Sequence, residues 1–233
     1  MTIKLTKYAN MKEMKYMDSP EINPELCIKH YNEYRRFMYT SFLLENVHGN
    51  VLMLGCGSGL IASFLSRSEK IDNIVVMDFS RNLIENVAPE IMDLFKADRK
   101  KIKFVVGDFH DLSRFKKEFD FVVFDGSLHH SNKPSVVLDG CNRLLKHGGI
   151  IFGVDEPVLP KWLKYQRKSF GAGQKKKGAT ENIYTLDEWK SLFKGSGFDF
   201  FKIPFIRSGL GQHLWMFNNY LFASYIIGGK RNH

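Results

Sequence analysis

Three glycines spaced two apart, Gly55, Gly57 and Gly59, close the apolar run Val51-Leu52-Met53-Leu54, with Cys56 and Ser58 between them and the helical-looking Leu60–Leu65 behind. A buried parallel strand reads as a continuous apolar run, and a glycine-dense turn lets backbone come close to a ligand. The helix that follows starts with free N–H groups aimed at that ligand. Binding of a nucleotide-type cofactor is the chemistry this spacing offers. A dinucleotide fingerprint needs glycine at its first, third and sixth positions. Here the sixth is Leu60 and the fifth is Gly59, so the spacing of an NAD site is absent.

Strand signals recur at Val51–Leu54, Ile74–Met77, Lys103–Val106, Phe121–Phe124 and Gly149–Val154. Between them Leu60–Ser66, Leu83–Phe95 and Val136–Leu145 carry apolar residues at spacings of three and four. This alternation predicts right-handed βαβ units and a doubly wound, mostly parallel α/β sheet. Residues 1–45 read as a helical arm or lid, in which Asn23-Pro24-Glu25 opens a helix running to about Glu45. A basic insertion occupies about 158–184, and Thr185-Leu186-Asp187-Glu188-Trp189 reads as a capped helix start that Gly195-Ser196-Gly197 ends. Phe198–Phe205 and Tyr220–Ile227 close the sheet as an antiparallel pair, for seven strands in one domain over 46–233.

The strand ends carry further landmarks. Val75-Val76-Met77-Asp78-Phe79-Ser80 puts an acid about 20 positions beyond the glycine turn, where a carboxylate can accept from ribose hydroxyls. Ser80 also suits a helix N-cap. The third strand ends in Val105-Val106-Gly107-Asp108-Phe109, and the fourth in Phe119-Asp120-Phe121-Val122-Val123-Phe124-Asp125-Gly126-Ser127-Leu128-His129-His130. Leu144-Leu145-Lys146-His147-Gly148-Gly149 precedes the fifth. The G-x-G-x-G turn and these ordered landmarks resemble the class I (Rossmann-like) S-adenosylmethionine (SAM) methyltransferases, of small-molecule type, over roughly residues 45–228.

That resemblance implies SAM as cofactor and S-adenosylhomocysteine as product. It implies Gly55, Cys56, Gly57, Ser58 and Gly59 as the cradle and Asp78 with Ser80 at the ribose. Asp108 is implied at the adenine amino group, Phe109 and Phe79 as walls of the ring, and Asp125 with Ser127 as cofactor contacts in the segment beside the reacting methyl group. One departure stands in the first motif: the family places an acid two positions before the first glycine, where this chain has Met53. The task of holding the amino end of SAM then shifts to backbone carbonyls and the arm.

A sulfonium methyl needs an aligned nucleophile, and a hydroxyl nucleophile gains from a base. His129 is the candidate base, since strand C-termini face the ligand crevice and an imidazole titrates near neutrality. Glu156, after the fifth strand in Asp155-Glu156-Pro157, is a second catalytic candidate. His130, Tyr16 and Arg167 are candidates for substrate contact, with Tyr31, Tyr34, Lys168 and His213 behind them.

The 233 residues, 44% hydrophobic and 25% charged, are ordinary for a soluble globular chain. The sequence lacks a membrane-length apolar run and a signal-peptide core, so a cytoplasmic protein is expected. Cys27, Cys56 and Cys141 are far apart and lack metal-ligand spacing, which makes a metal-free protein the simplest reading. No N-P-P-Y or D-P-P-Y motif follows the fourth strand, which disfavours amino-methylation of nucleic-acid bases. Methyl transfer to an O or N atom of a small metabolite, such as a sugar or natural-product intermediate, is the leading expectation. A net charge of +9 keeps an RNA substrate as an alternative, and Met53 keeps a non-catalytic partner subunit as another.

Overall fold

The structure, a computed structural model, describes residues 6–8, 10–33, 37–116, 118–163, 165, 180–204 and 225–232. Arg167, Lys168, Tyr34 and His213 lie outside them. Three helices, α1 (Met11–Met17), α2 (Pro24–Glu33) and α3 (Phe37–Asn46), precede strand β1 (Gly49–Leu54). Then come α4 (Leu60–Ser66), β2 (Ile71–Asp78), α5 (Ala88–Leu94), β3 (Ile102–Val106), β4 (Phe119–Asp125), α6 (Pro134–Leu144) and β5 (Leu145–Glu156). Short strands β6 (Val158–Leu159) and β7 (Tyr184–Thr185) follow, then α7 (Leu186–Gly195), β8 (Phe198–Pro204) and β9 (Tyr225–Arg231).

Seven strands form one sheet of order β3-β2-β1-β4-β5-β9-β8. The pairs among β1 to β5 are parallel, whereas β9 runs antiparallel to β5 and β8 antiparallel to β9. The chain order reverses between β1 and β4, so the ends of these two strands form the switch point where such sheets hold ligands. Alternation along β1 serves two apolar layers. Val51 and Met53 join the cluster of α3, α4 and α5, and Leu52 and Leu54 join that of α6 and α7.

Met53 is fully buried and lies between Val76 of β2 and Val123 of β4. A carboxylate at this position would be desolvated in an apolar layer, so thioether there is the choice consistent with the packing.

Local chemistry explains most element ends. Asn23 Oδ1 accepts from the Leu26 amide at 2.9 Å, capping α2 as its sequence predicts. The expected helix to about Glu45 is described on either side of 34–36, as α2 and α3, and those three residues lie outside the described ones. The stretch Leu83–Val87 is a π-turn leading into α5. Pro89 has no N–H for the i−4 carbonyl and its ring would crowd it, which favours the wider turn. Thr185 and Glu188 form a reciprocal capping box, and Gly197 takes φ +80° just after α7. Strands β6 and β7 pair in parallel and so zip together the two ends of the basic insertion. The described part of the last strand, Tyr225–Arg231, runs past the expected end at Ile227, and 220–224 lie outside the described residues. The strand includes Gly228 and Gly229, where Phe201, Phe193 and Phe198 occupy the space a Cβ would need.

Candidate active site

The turn after β1 is built on left-handed glycines. Gly55 and Gly57 have φ of +61° and +56°. A Cβ on Gly55 would lie 2.6 Å from Ser127 Cβ, whereas one on Gly57 would meet nothing within 4 Å. Gly55 thus lets the β4 loop close on the turn, and Gly57 leaves an approach open. Gly55→Ala is expected to lower the unfolding free energy by roughly 2–4 kcal/mol, combining a left-handed penalty with overpacking. Gly57→Ala should cost only about 1–2 kcal/mol, the backbone penalty alone. Chemical denaturation of both variants checks this, and equal losses would refute the assignment.

Asp78 ends β2 under this turn. Its Oδ2 accepts from the Gly57 amide and its Oδ1 from the Ser80 amide, each at 2.9 Å. Burial pushes its pKa up to about 6, although those two N–H groups pull it down. Ser80 turns its hydroxyl elsewhere: it accepts from the Leu83 amide and donates toward Met17 and Asp18 of the arm. The hydroxyl thus takes the capping role that its position also suggested. Cys56 is buried, and its thiol is raised well above its usual range by burial and by the charges of Asp78 and Asp125. It can offer a ligand its backbone, not a thiolate. Asp125 is buried at the end of β4 beside this thiol.

Asp108 follows β3. Burial raises its pKa, but hydrogen bonds from His110 and Thr6 outweigh that and hold it near 2. His110 Nδ1 lies 2.6 Å from Oδ1, and the Thr6 hydroxyl and amide donate to Oδ2 at 2.6 and 3.0 Å. Tyr8 sets its ring 5.5 Å from that of His110. Thr6, Tyr8 and α1 therefore lie across the ends of β2 and β3. The cavity left between Tyr8, Glu13, Phe79, Asp108, Phe109 and His130 is about 30 Å³, against several hundred for an occupied small-molecule site. Phe79 and Phe109 both line it. Tyr16 is instead half-buried against the α2–α4 core, and Tyr31 stacks on Phe64, so both act in packing. A wider groove of about 420 Å³ between α6 and α7, lined by Asp139, Tyr184 and Glu188, lies away from these strand ends.

The loop after β4 wraps around a carboxylate. Glu156 Oε1 accepts from the amides of Ser127 and Leu128, at 3.1 and 2.9 Å. Its Oε2 accepts from the His129 amide at 3.0 Å and lies 2.7 Å from His129 Nδ1. Burial would raise this carboxyl, yet His129 and the amides hold it below its ordinary value. Asp155, at φ +56°, bends the end of β5 and swings Glu156 inward. A non-glycine residue in that region marks local strain. Both Glu156 oxygens are engaged and the side chain is sealed from solvent. Glu156, the second catalytic candidate, thus contacts the His129 ring and the loop amides through both of its oxygens. Ser127 donates its hydroxyl to the Leu54 carbonyl at 2.7 Å, which ties β4 to β1 and removes that hydroxyl from cofactor duty.

Residues outside every sequence motif complete the site. Glu13 of α1 lies 3.0 Å from His130 Nδ1, and Glu181 approaches both histidines. His110 also reaches Ser131 Oγ at 2.7 Å. Glu13 and Glu181 lie in the arm and at the end of the insertion. No spacing signal links them to the β4 loop.

The parallel sheet with its antiparallel closing pair, the glycine turn at the switch point and the acids ending β2, β3 and β4 form a Rossmann-like fold with a ligand crevice at its switch point. Residues 52–153 match the family model described as a methyltransferase domain. The chain is similar to a demethylmenaquinone methyltransferase of Leptospira interrogans, 28% identical over 151 residues covering 57% of this chain and 60% of that one. It is also similar to a malonyl-[acyl-carrier protein] O-methyltransferase 2 of Ilyobacter polytropus, 26% identical over 110 residues, or 46% and 40% of the two chains. The matches thus span no more than 60% of these relatives' lengths. A methyltransferase solved in complex with the Haloferax volcanii Trm112 methyltransferase activator shares the fold. It aligns with a TM-score of 0.71 at 17% identity, over 97% of this chain and 99% of that one.

Proposed function

We propose that this chain transfers the methyl group of SAM to an oxygen or nitrogen atom of a small metabolite, a sugar or a natural-product intermediate, anionic ones included. The observation that carries this reading is the His129–Glu156 dyad at the end of β4, a buried imidazole with Nδ1 tied down at 2.7 Å. With its Nδ1–H donated to Glu156, His129 presents Nε2 as proton acceptor. SAM supplies an electrophilic methyl group on a positively charged sulfur.

The residues of the chain bind, orient and move a proton. The turn Gly55–Gly59 gives backbone N–H groups, Asp78 accepts from the ribose hydroxyls, and Asp108 from the adenine amine between Phe79 and Phe109. Asp125 takes the positive amino end that Met53 cannot. Thr6 already donates to Asp108, so the arm swings outward for the cofactor to enter. Orientation supplies at most about 7–11 kcal/mol of the barrier reduction, and proton removal by His129 contributes roughly 10²–10⁴-fold.

The names of the two curated relatives refer to demethylmenaquinone and to a malonyl group on a carrier protein, acceptors that are not nucleic acid. Titration calorimetry with SAM, followed by incubation with labelled SAM and small-metabolite extracts, tests the reading. One SAM bound per chain and label in the small-molecule fraction are expected. Label in RNA alone overturns the small acceptor, and absent SAM binding overturns the enzyme in favour of a partner subunit. The net charge of +9 favours RNA as the second reading. It requires tRNA binding that weakens steeply with salt as counterions are released; salt-insensitive or absent binding removes it.

A further inference from the structure

The histidine pair after β4 has an arrangement that proton transfer alone does not require. His129 Nδ1 is pinned by Glu156 at 2.7 Å, and His130 Nδ1 lies 3.0 Å from Glu13. Both rings therefore turn their Nε2 atoms toward one carboxylate: Glu181 Oε2 is 3.6 Å from His129 Nε2, and Glu181 Oε1 is 3.9 Å from His130 Nε2. The two ring centroids are 4.1 Å apart. One donor atom from each of the three residues falls within 4.8 Å of the others.

Glu181 is held there by its neighbours. The Asn182 amide donates to the His129 carbonyl at 3.2 Å, and Asn182 Nδ2 to the Ser131 carbonyl at 2.9 Å. The Thr180 amide donates to Glu13 Oε2 at 3.1 Å. The strap 180–182 thus clamps the β4 loop to α1 and leaves the Glu181 carboxylate facing the imidazoles.

We propose that His129 Nε2, His130 Nε2 and the Glu181 carboxylate bind a divalent first-row transition cation of the zinc, cobalt or nickel type. Tetrahedral ligands about 2.1 Å from one ion lie about 3.4 Å apart, so the 3.6 and 3.9 Å approaches of the two Glu181 oxygens need a contraction of a few tenths of an ångström to close on a single cation. Two imidazoles and one carboxylate suit such ions and not magnesium or calcium, which take oxygen ligands. Three protein ligands leave at least one position open for water or an acceptor atom. Glu156 is the outer carboxylate that holds the His129 ring, and Glu13 sets its charge 3.0 Å from His130 Nδ1. Three carboxylates, Glu13, Glu156 and Glu181, packed around two imidazoles also favour a positive counter-charge, which a cation provides.

The cation site stands on its own geometry and does not depend on methyl transfer. It shares His129 with the proposed base, so the cation-loaded and proton-accepting states exclude each other at that nitrogen. Equilibrium dialysis of the full chain against zinc, with cobalt absorption as a second readout, tests the site. One zinc per chain and a cobalt spectrum of low-coordinate type are expected. Both should be lost in His130→Gln and Glu181→Gln, kept in the exposed-surface control His147→Gln, and weakened roughly 10–100-fold in Glu13→Gln. Circular dichroism of each variant separates loss of ligand from loss of fold. Zinc binding that survives Glu181→Gln and His130→Gln, or no binding by the folded parent, overturns the site. If zinc binds and methyl transfer is inhibited, both readings hold. If zinc binds and activates, the site stands and the role of His129 as base falls.

Discussion

In the Asp78→Asn variant, SAM affinity is expected to fall about 100-fold or more while the unliganded fold is preserved. Hydrogen bonds to a charged acceptor are worth roughly 1.5–3 kcal/mol each, and an asparagine keeps only one neutral oxygen for two ribose hydroxyls. The same side chain sets a pH dependence. Its carboxyl is raised from 3.8 to about 6, chiefly by burial. Between those values the folded chain holds a proton that the unfolded chain has released. The group's contribution to stability is therefore fully present below 3.8 and lost as pH rises through about 6. At neutral pH the buried carboxylate opposes folding by of order 3 kcal/mol.

Asparagine lacks that term but gives up one of the hydrogen bonds from Gly57 and Ser80. The stability of Asp78→Asn relative to the parent should then be highest near neutrality and decline as pH falls through 6. Denaturant titrations of both proteins above and below this window give the difference directly, free of other carboxylates. Parallel stability curves would refute the raised pKa. SAM requires the ionised form, so its affinity should weaken by up to about tenfold per pH unit below about 6, as calorimetry in that range would show.

Glu156→Gln carries the second large effect. One carboxylate receives three backbone amides and His129 Nδ1, whereas the amide nitrogen of glutamine would face donors. At least one buried donor loses its partner, at about 1–3 kcal/mol each, and the charge that balances the site is gone. A stability loss of roughly 2–5 kcal/mol is expected. The rate should fall about 10²–10⁴-fold through misplacement of His129, with KM for SAM within about threefold of the parent. His129→Gln should lose a similar factor, and the double variant little more, because the pair acts as a unit. An unchanged kcat in a folded Glu156→Gln protein would show that His129 needs no positioning.

Where residues act through short spacing, the sequence was readable. The apolar run into Gly55-x-Gly57-x-Gly59 placed β1, its turn and α4. The acid after the second apolar run is Asp78, held under the turn at 2.9 Å from Gly57. The Thr185-x-x-Glu188 box marked the start of α7. The π-turn before Pro89 and the extension of the last strand onto Gly228 and Gly229 were less legible. In the first a missing donor is tolerated by widening a helix, and in the second three phenylalanine rings decide the register.

The roles within the site divide along the same line. Backbone geometry and strand-end acids depend on a few adjacent residues, so the sequence alone determined a Rossmann-like sheet, a glycine cradle and the acids around it. The sharing of work among polar side chains depends on approach in space. Thr6 meets Asp108 from 102 positions away, Glu13 and Glu181 converge on His130, and Asp155 turns Glu156 beneath the His129 loop. Only the tertiary structure decided that Glu156 contacts His129, that the Ser80 and Ser127 hydroxyls bond the Leu83 amide and the Leu54 carbonyl, and that two imidazoles face one carboxylate. Charges buried together need partners, and the fold, not the local spacing, determines which partners are in reach.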